Sequence, residues 1–220
     1  LHYQGENHVE EQRIHGELVH RILAAKYPEL ASPPPGRRME GGRIRVGFAS
    51  TLFREHTIVK LFGGWMRELD RSRFEVYGYH LGNKTDATTG VVAGWCEGGF
   101  RNVPDDLEAM ARQIREDNLA VLIFPELGMD AILLKLAALR MAPVQMVSWG
   151  HPVTTGLPTV DIFLSSEGME AEDGDDHYTE QLVRLPGLSV CLQEPDLPPV
   201  VRQRSDFGWG ADEVVYLCCQ

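Results

Sequence analysis

Two histidines lie in loops that follow predicted strands, where a titratable ring can act on a ligand. His56 comes after the strand predicted over residues 43–49, and His151 follows the one over residues 143–148. A histidine with a pKa near neutrality can act as a general base or donate a hydrogen bond to a hydroxyl substrate. His56 is a candidate catalytic residue, and its position alone fits a helix cap or a surface side chain equally well.

The loop over residues 149–156 has the sequence Trp-Gly-His-Pro-Val-Thr-Thr-Gly. It follows a short apolar run that predicts a buried strand, and open α/β sheets bind ligands where such strands end. Pro152 is expected to hold His151 rigid. The alternative is a loop ordered by its own hydrogen bonds, which Thr154 and Thr155 can make.

A third polar segment, Pro-Glu-Leu-Gly-Met-Asp over residues 125–130, follows the strand predicted over residues 119–124. Gly128 permits either close approach of a ligand or a positive φ in a strand-to-helix turn, and the turn is the commoner use. Glu126 is a candidate catalytic acid, although a carboxylate near a helix start more often complements the helix dipole. We expect this segment to meet the two histidine loops at one edge of the sheet.

Conventional nucleotide and metal signatures do not match the remaining loops. Residues 46–51, Val-Gly-Phe-Ala-Ser-Thr, fit neither G-x-G-x-x-G nor a Walker loop. The strand predicted over residues 74–80 ends in His80 instead of the acid that binds a ribose. Residues 173–176, Asp-Gly-Asp-Asp, lack the other ligands of an EF-hand and predict a solvated turn. We therefore expect neither a dinucleotide cofactor nor a metal site.

Strands and helices alternate through most of the chain. The predicted strands cover residues 43–49, 74–80, 100–103, 119–124, 143–148, 160–164 and 181–185. The predicted helices cover residues 56–69, 91–96, 104–117 and 129–140. A continuous apolar run such as residues 119–124 suits a parallel strand covered on both faces. This alternation predicts a doubly wound α/β fold with a mainly parallel, Rossmann-like sheet.

An amphipathic helix is predicted near the start of the chain, over residues 10–25. Its apolar stripe consists of Ile14, Leu18, Ile22 and Leu23. His8, His15 and His20 lie on or near it, and His15 and His20 are poorly spaced to share one helix face. We interpret these histidines as a solvated face and not as a metal site.

Proline-rich stretches suggest the domain boundaries. We predict a helical connector and linker over residues 1–36, a Rossmann-like half over residues 37–190, and an interdomain connection over residues 191–220 that ends in a strand at residues 213–219. Because the first residue is Leu1 and this last strand has no turn after it, we expect the chain to be a segment of a longer protein.

Composition limits the class of protein. The hydrophobic content of 43% and charged content of 24% are typical of a soluble globular protein. A formal charge of −11 argues against nucleic-acid or acidic-membrane partners, which need a basic face. We find no membrane-spanning run and no signal peptide. The 4 cysteines form no C-x-x-C pair, so we expect a reduced, cytoplasmic protein.

Several spaced segments together resemble a known family. Residues 44–50, Glu55-His56-Thr57 and residues 74–77 are similar to the opening of the catalytic region of protein O-linked N-acetylglucosamine transferases, glycosyltransferase family 41, with its SPINDLY-like bacterial members. Residues 136–145, Leu-Ala-Ala-Leu-Arg-Met-Ala-Pro-Val-Gln, resemble the family's LRPAPIQ segment. Residues 149–156 resemble its LGYPGTSG loop. Residues 177–180 together with residues 184–186 resemble its Y-S-E…L-P segment.

The resemblance implies half of a two-domain, GT-B type glycosyltransferase, usually preceded by tetratricopeptide repeats. In such enzymes a serine or threonine hydroxyl of a protein acceptor attacks the anomeric carbon of a nucleotide sugar, with inversion and without an essential metal. The donor implied is UDP-N-acetylglucosamine, bound mainly by a second half that is missing after Gln220. We therefore expect this chain alone to be inactive.

The resemblance also implies roles for individual residues. His56 falls near the reacting groups. The predicted substrate-binding residues are Gly128, Met129, Gly150, His151, Pro152, Thr154 and Thr155. His151 replaces a family tyrosine and Val153 a glycine, so the sugar and acceptor remain open, including transfer to asparagine or of glucose or fucose. The alternative from another class is a non-catalytic interaction module that kept the fold.

Overall fold

The computed structural model describes residues 6–34, 42–103, 106–193 and 199–218. The strands are β1 (Ile44–Ser50), β2 (Phe74–His80), β3 (Gly99–Asn102), β4 (Val121–Phe124), β5 (Val144–Ser148), β6 (Ile162–Ser166) and β7 (Gln181–Leu185). The α-helices are α1 (Val9–Lys26), α2 (Pro28–Ala31), α3 (Thr57–Glu68), α4 (Ala87–Gly94), α5 (Leu107–Glu116) and α6 (Ala131–Ala137). Every strand predicted before residue 186 is present, with slightly different ends.

The strands form one seven-stranded sheet in the order β3-β2-β1-β4-β5-β6-β7. All neighbouring strands are parallel. The chain proceeds outward from β1 to β3 and then returns to β4 on the other side of β1. Such a reversal opens a crevice at the carboxyl ends of the two central strands, which is the usual ligand site of this fold. The predicted doubly wound α/β class is confirmed.

Strand β4 shows why the sheet is buried on both faces. Leu122 and Phe124 contribute to the larger hydrophobic core. Ile123, between them, contributes to the second core on the opposite face. Successive side chains of a strand point to opposite faces, so an uninterrupted apolar run places side chains in two cores at once.

Helix α1 forms where predicted, but the expected apolar stripe does not face the protein. Ile14, Leu18 and Ile22 are 56%, 45% and 58% exposed, whereas Leu23 is buried. Periodicity correctly predicted the helix and wrongly predicted most of its contact face.

The helix packs instead through a glycine. A Cβ on Gly16 would lie 2.2 Å from the carbonyl oxygen of Gly156, so the two backbones touch directly. Close backbone approach of this kind is available only to glycine. His20 also faces the protein, with Nδ1 2.8 Å from the Ala138 carbonyl oxygen. The solvated-face interpretation is therefore wrong for His20, while His15 is exposed.

Residues 213–218 do not form the predicted strand, and Cys219 lies outside the described residues. Val214, Tyr216 and Leu217 are all exposed there. A strand needs a neighbouring strand to pair its backbone groups, and none of the described strands lies beside this segment.

No helix within the described ranges is long and apolar enough to cross a membrane.

Candidate active site at the carboxyl edge of the sheet

The loops that follow β1, β4 and β5 meet beside the switch point, as predicted. The hydroxyl of Ser50, at the end of β1, donates a 2.5 Å hydrogen bond to Glu126 Oε1. The Gly150 N–H donates to the Pro125 carbonyl at 3.1 Å. Glu126 also pairs with Trp149 in an isolated antiparallel bridge. Three segments remote in the chain thus form one polar rim.

His56 is the N-cap of α3, in the loop that follows β1, and is partly buried. Its Nδ1 accepts a hydrogen bond from the Ile58 N–H at 3.2 Å. Burial, followed by the nearby charge of Arg54, lowers the pKa of His56. The ring is therefore neutral at pH 7, and because Nδ1 is an acceptor its proton is on Nε2. In this tautomer Nε2 donates a hydrogen bond and cannot serve as a base.

Glu126 is fully buried between the loops. Its Oε1 accepts from the Ser50 hydroxyl and, at 3.2 Å, from the Thr51 N–H. The Ser50 hydroxyl in turn accepts from the Leu52 N–H at 2.8 Å. Burial raises the pKa of Glu126 to about 8, more than these hydrogen bonds lower it. A largely protonated acid thus fixes the start of the loop that holds His56.

The helix-dipole interpretation of Glu126 is wrong. Asp130 is the N-cap of α6, and its carboxylate accepts from the Ile132 N–H at 2.8 Å. What the sequence offered for Glu126 was its position two residues after a buried strand, at the end of the sheet. Its complete burial depends on Trp149 and Gly150, which come from another part of the chain.

Two glycines allow the loops to approach one another. Gly128 has φ +115°, and a Cβ on it would lie 2.4 Å from Cδ2 of His151. A Cβ on Gly150 would lie 2.3 Å from the Pro125 carbonyl oxygen. Gly128 therefore has both predicted uses: it adopts the positive φ of the turn, and its lack of a side chain leaves room for the His151 ring. Met129 and Pro152 are exposed beside them. Contact of these five residues with a substrate stays a prediction.

The hydroxyls of Thr154 and Thr155 are engaged by a carboxylate that sequence reasoning did not single out. Thr154 Oγ1 donates to Glu180 Oε2 at 2.7 Å, and the Thr155 hydroxyl donates to Glu180 Oε1. The Thr155 N–H donates to the same oxygen at 2.9 Å. All three residues are buried. The two threonines therefore order the loop by hydrogen bonding, as in the alternative to a ligand site given in the sequence analysis. The acceptor, however, is Glu180, which lies outside the loop.

We expect Glu180→Ala to lower the free energy of unfolding by about 2–4 kcal/mol, because it leaves several buried donors without an acceptor. Glu180→Gln retains one carbonyl oxygen and should cost less. Urea unfolding of the chain measures both. Glu167→Ala, which removes an exposed carboxylate, is the control and should change the value by less than about 0.5 kcal/mol. A Glu180→Ala value as small as the control's contradicts the assignment.

Two cavities flank the Gly128–Asp130 turn. One, of about 360 Å³, lies between α1 and the loop after β5, and its lining includes Gln12, His15, Gly128 and His151. The other, of about 560 Å³, lies between the loops after β1 and β2. Both volumes fall within the range of small-ligand sites. Across the described residues, no three His, Cys, Asp or Glu side chains are grouped to hold a metal ion.

Comparison with known proteins finds a matching sequence family and a similar solved structure. The model of the family described as Glycosyl transferase family 41 matches residues 13–190, beginning within α1. A Thermobaculum terrenum O-GlcNAc transferase mutant, K341M, superposes with a TM-score of 0.69 at 25% identity, over 84% of this chain and 40% of that chain.

Two plant proteins are similar in sequence. The probable UDP-N-acetylglucosamine–peptide N-acetylglucosaminyltransferase SPINDLY of Arabidopsis thaliana is 31% identical over 164 residues, which is 71% of this chain and 18% of that protein. The protein of the same description named SEC, also from Arabidopsis thaliana, is 26% identical over 213 residues, covering 90% of this chain and 21% of that protein. The chain spans about a fifth of the length of these relatives.

The family match covers all seven strands of the sheet and all of the loops that build the polar rim, and the backbone superposes on that of the structural neighbour. From this we conclude that the chain belongs to glycosyltransferase family 41.

Proposed function

We propose that this chain is the first, acceptor-side half of the catalytic region of a cytoplasmic protein O-glycosyltransferase. The complete enzyme transfers N-acetylglucosamine from UDP-N-acetylglucosamine to serine or threonine hydroxyls with inversion. The observation that supports this best is the convergence of the loops that hold His56, Glu126 and Gly150 at the switch point of a family 41 sheet. The names of the plant relatives support the choice of donor and of a peptide acceptor.

In this proposal His56 acts as a hydrogen-bond donor. The Ile58 N–H holds Nδ1, which directs the Nε2 proton toward an oxygen of the bound substrate. Glu126 and Ser50 hold the backbone of the preceding loop in place. Because the ring is neutral with Nδ1 already engaged, removal of the acceptor proton is assigned to another group.

The donor is bound mainly by a second half outside this chain. The chain covers 40% of the structural neighbour and about a fifth of the plant relatives. We expect the isolated chain to be inactive and to bind UDP, UDP-N-acetylglucosamine and GDP-fucose more weakly than about 1 mM, which corresponds to only about −4 kcal/mol of binding free energy. Isothermal titration calorimetry with each nucleotide tests this, and micromolar binding would contradict the placement of the donor site.

The direct test of the function uses the protein expressed from its complete reading frame. Incubation with UDP-N-acetylglucosamine and cell lysate, followed by mass spectrometry, should reveal N-acetylhexosamine on serine or threonine. Sugar on asparagine only, or transfer from GDP-fucose only, would replace the proposed acceptor or donor. No transfer from any nucleotide sugar would overturn the enzymatic proposal.

Substitution of His56→Ser in that protein separates capping from chemistry. Serine is a good N-cap, so the melting temperature should stay unchanged, while loss of the Nε2 donor should lower kcat about 10- to 1000-fold. Thermal unfolding and steady-state kinetics measure the two effects. Unchanged turnover would remove His56 from the mechanism.

A non-catalytic interaction module is the second candidate. It is favoured by the engagement of Thr154, Thr155 and His56 in hydrogen bonds within the protein. It predicts no transfer by the complete protein, with retained binding of a partner protein.

A further inference from the structure

The larger cavity, of about 560 Å³, lies at the carboxyl ends of β1 and β2, beside the start of α6. Its described lining includes the cations Arg54 and Lys84, the amide of Asn83 and the carboxylate of Asp130. His80 Nε2 lies 2.9 Å from the Lys84 carbonyl oxygen and so holds the loop after β2 in place. The cavity is therefore lined by an ordered loop and by two positive charges.

Arg54 and Lys84 have no ion pair with any described carboxylate. Arginines elsewhere along the sheet are paired; Arg45, for example, bonds Glu75 at 2.9 Å and Arg140 bonds Asp161 at 2.6 Å. The two cations of the cavity thus form no ion pair among the described residues, although the Asp130 carboxylate is in the same lining.

Three carboxylates of the surrounding loops bond other groups. Asp86 accepts from the Glu55 N–H at 2.7 Å and caps α4 through the Thr89 N–H at 3.1 Å. The Glu55 side chain bonds Lys60 at 2.7 Å. Asp130 caps α6, as described above. None of these three carboxylates forms an ion pair with Arg54 or Lys84, so both cations can bind an anionic ligand.

The cavity and the candidate catalytic residue share the loop after β1. Arg54, in the cavity lining, is two residues before His56, which caps α3. A group bound by Arg54 would therefore contact the same loop that ends in His56.

We propose that the cavity bounded by Arg54 and Lys84 binds a carboxylate side chain of the acceptor polypeptide, close in sequence to the modified serine or threonine. This rests on the proposed function and specifies its substrate as an acidic acceptor segment. A carboxylate suits the site because an arginine binds it with two parallel hydrogen bonds. The Asp130 carboxylate in the same lining and the overall charge of −11 disfavour a polyanion such as a nucleic acid.

The test compares synthetic peptides that differ only in aspartate against asparagine beside the acceptor serine. The enzyme from the complete reading frame should use the aspartate peptide about 3- to 10-fold better in kcat/KM, the size expected for two partly exposed ion pairs. Arg54→Gln and Lys84→Gln should reduce this ratio toward one by raising KM for the aspartate peptide more than for the asparagine peptide. Lys135→Gln removes an exposed charge outside the cavity and should retain the ratio.

The outcomes separate this inference from the function on which it rests. Equal use of both peptides by the unsubstituted enzyme, or a preference that survives Arg54→Gln and Lys84→Gln, would overturn the inference and leave the glycosyltransferase intact. Failure to modify either peptide, together with no transfer to lysate proteins, would remove both. Competition between UDP and the aspartate peptide that Arg54→Gln abolishes would assign the cavity to the donor diphosphate and overturn the acceptor assignment.

Discussion

Gly16→Ala is expected to lower the free energy of unfolding by about 2–4 kcal/mol, the cost of forcing a methyl group into a closely packed contact. The new Cβ would lie 2.2 Å from the Gly156 carbonyl oxygen and 2.7 Å from the Leu157 N, both of which are backbone atoms. Backbone cannot rotate away as a side chain does, so α1 or the loop after β5 must shift. The sign of the change in unfolding free energy is informative, because alanine normally stabilises a helix by about 0.5–1 kcal/mol relative to glycine.

The matched control for this prediction is Gly90→Ala in α4. A Cβ at Gly90 meets no heavy atom within 4 Å, so only the helix-propensity gain remains. Urea unfolding of both variants should give shifts of opposite sign. Stabilisation by Gly16→Ala comparable to that of Gly90→Ala would show that α1 is not packed on the loop.

The second large effect concerns Glu126. Its folded-state pKa of about 8 lies above the ordinary value of 4.5. Between those values the unfolded chain is ionised while the folded chain keeps the proton, so unfolding releases a proton. The contribution of Glu126 to stability is therefore greatest below about pH 4.5 and is lost as the pH rises to about 8, by up to several kcal/mol in total.

Glu126→Gln should remove this dependence. We expect its free energy of unfolding to fall less steeply between pH 5 and 8 than that of the unsubstituted chain, by up to about 1.4 kcal/mol per pH unit. Urea unfolding at several pH values measures the slopes, and Glu167→Gln, an exposed acid, should keep the original slope. Identical slopes for Glu126→Gln and the unsubstituted chain would contradict a buried, protonated Glu126.

The strands of the sheet were predictable because short apolar runs in the sequence indicate buried strands. A strand covered on both faces has to be apolar at every position, and residues 119–124 are, so β4 could be assigned without knowledge of its neighbours. Parallel strands joined by helices place their carboxyl ends at one edge. The meeting of the loops that hold His56, Gly128 and Gly150 followed from this topology alone.

Helix α1 marks where such reasoning stops. Hydrophobic periodicity selects the face with the most apolar side chains, which here is the exposed face of Ile14, Leu18 and Ile22. The face that packs is defined by Gly16, which has no side chain and hence no hydrophobic signal. The role of that glycine is set by the position of Gly156, which is remote in the sequence.

From the sequence alone we could determine the fold class, the family and the edge of the sheet where the polar loops gather, because these depend on patterns along short stretches of chain. Only the tertiary structure decided the state of the groups at that edge: which nitrogen of His56 is engaged, that Glu126 is buried with a raised pKa, and that Glu180 binds both threonines. Proton positions and hydrogen-bond partners depend on contacts between residues distant in sequence, and these arise only when the chain is folded.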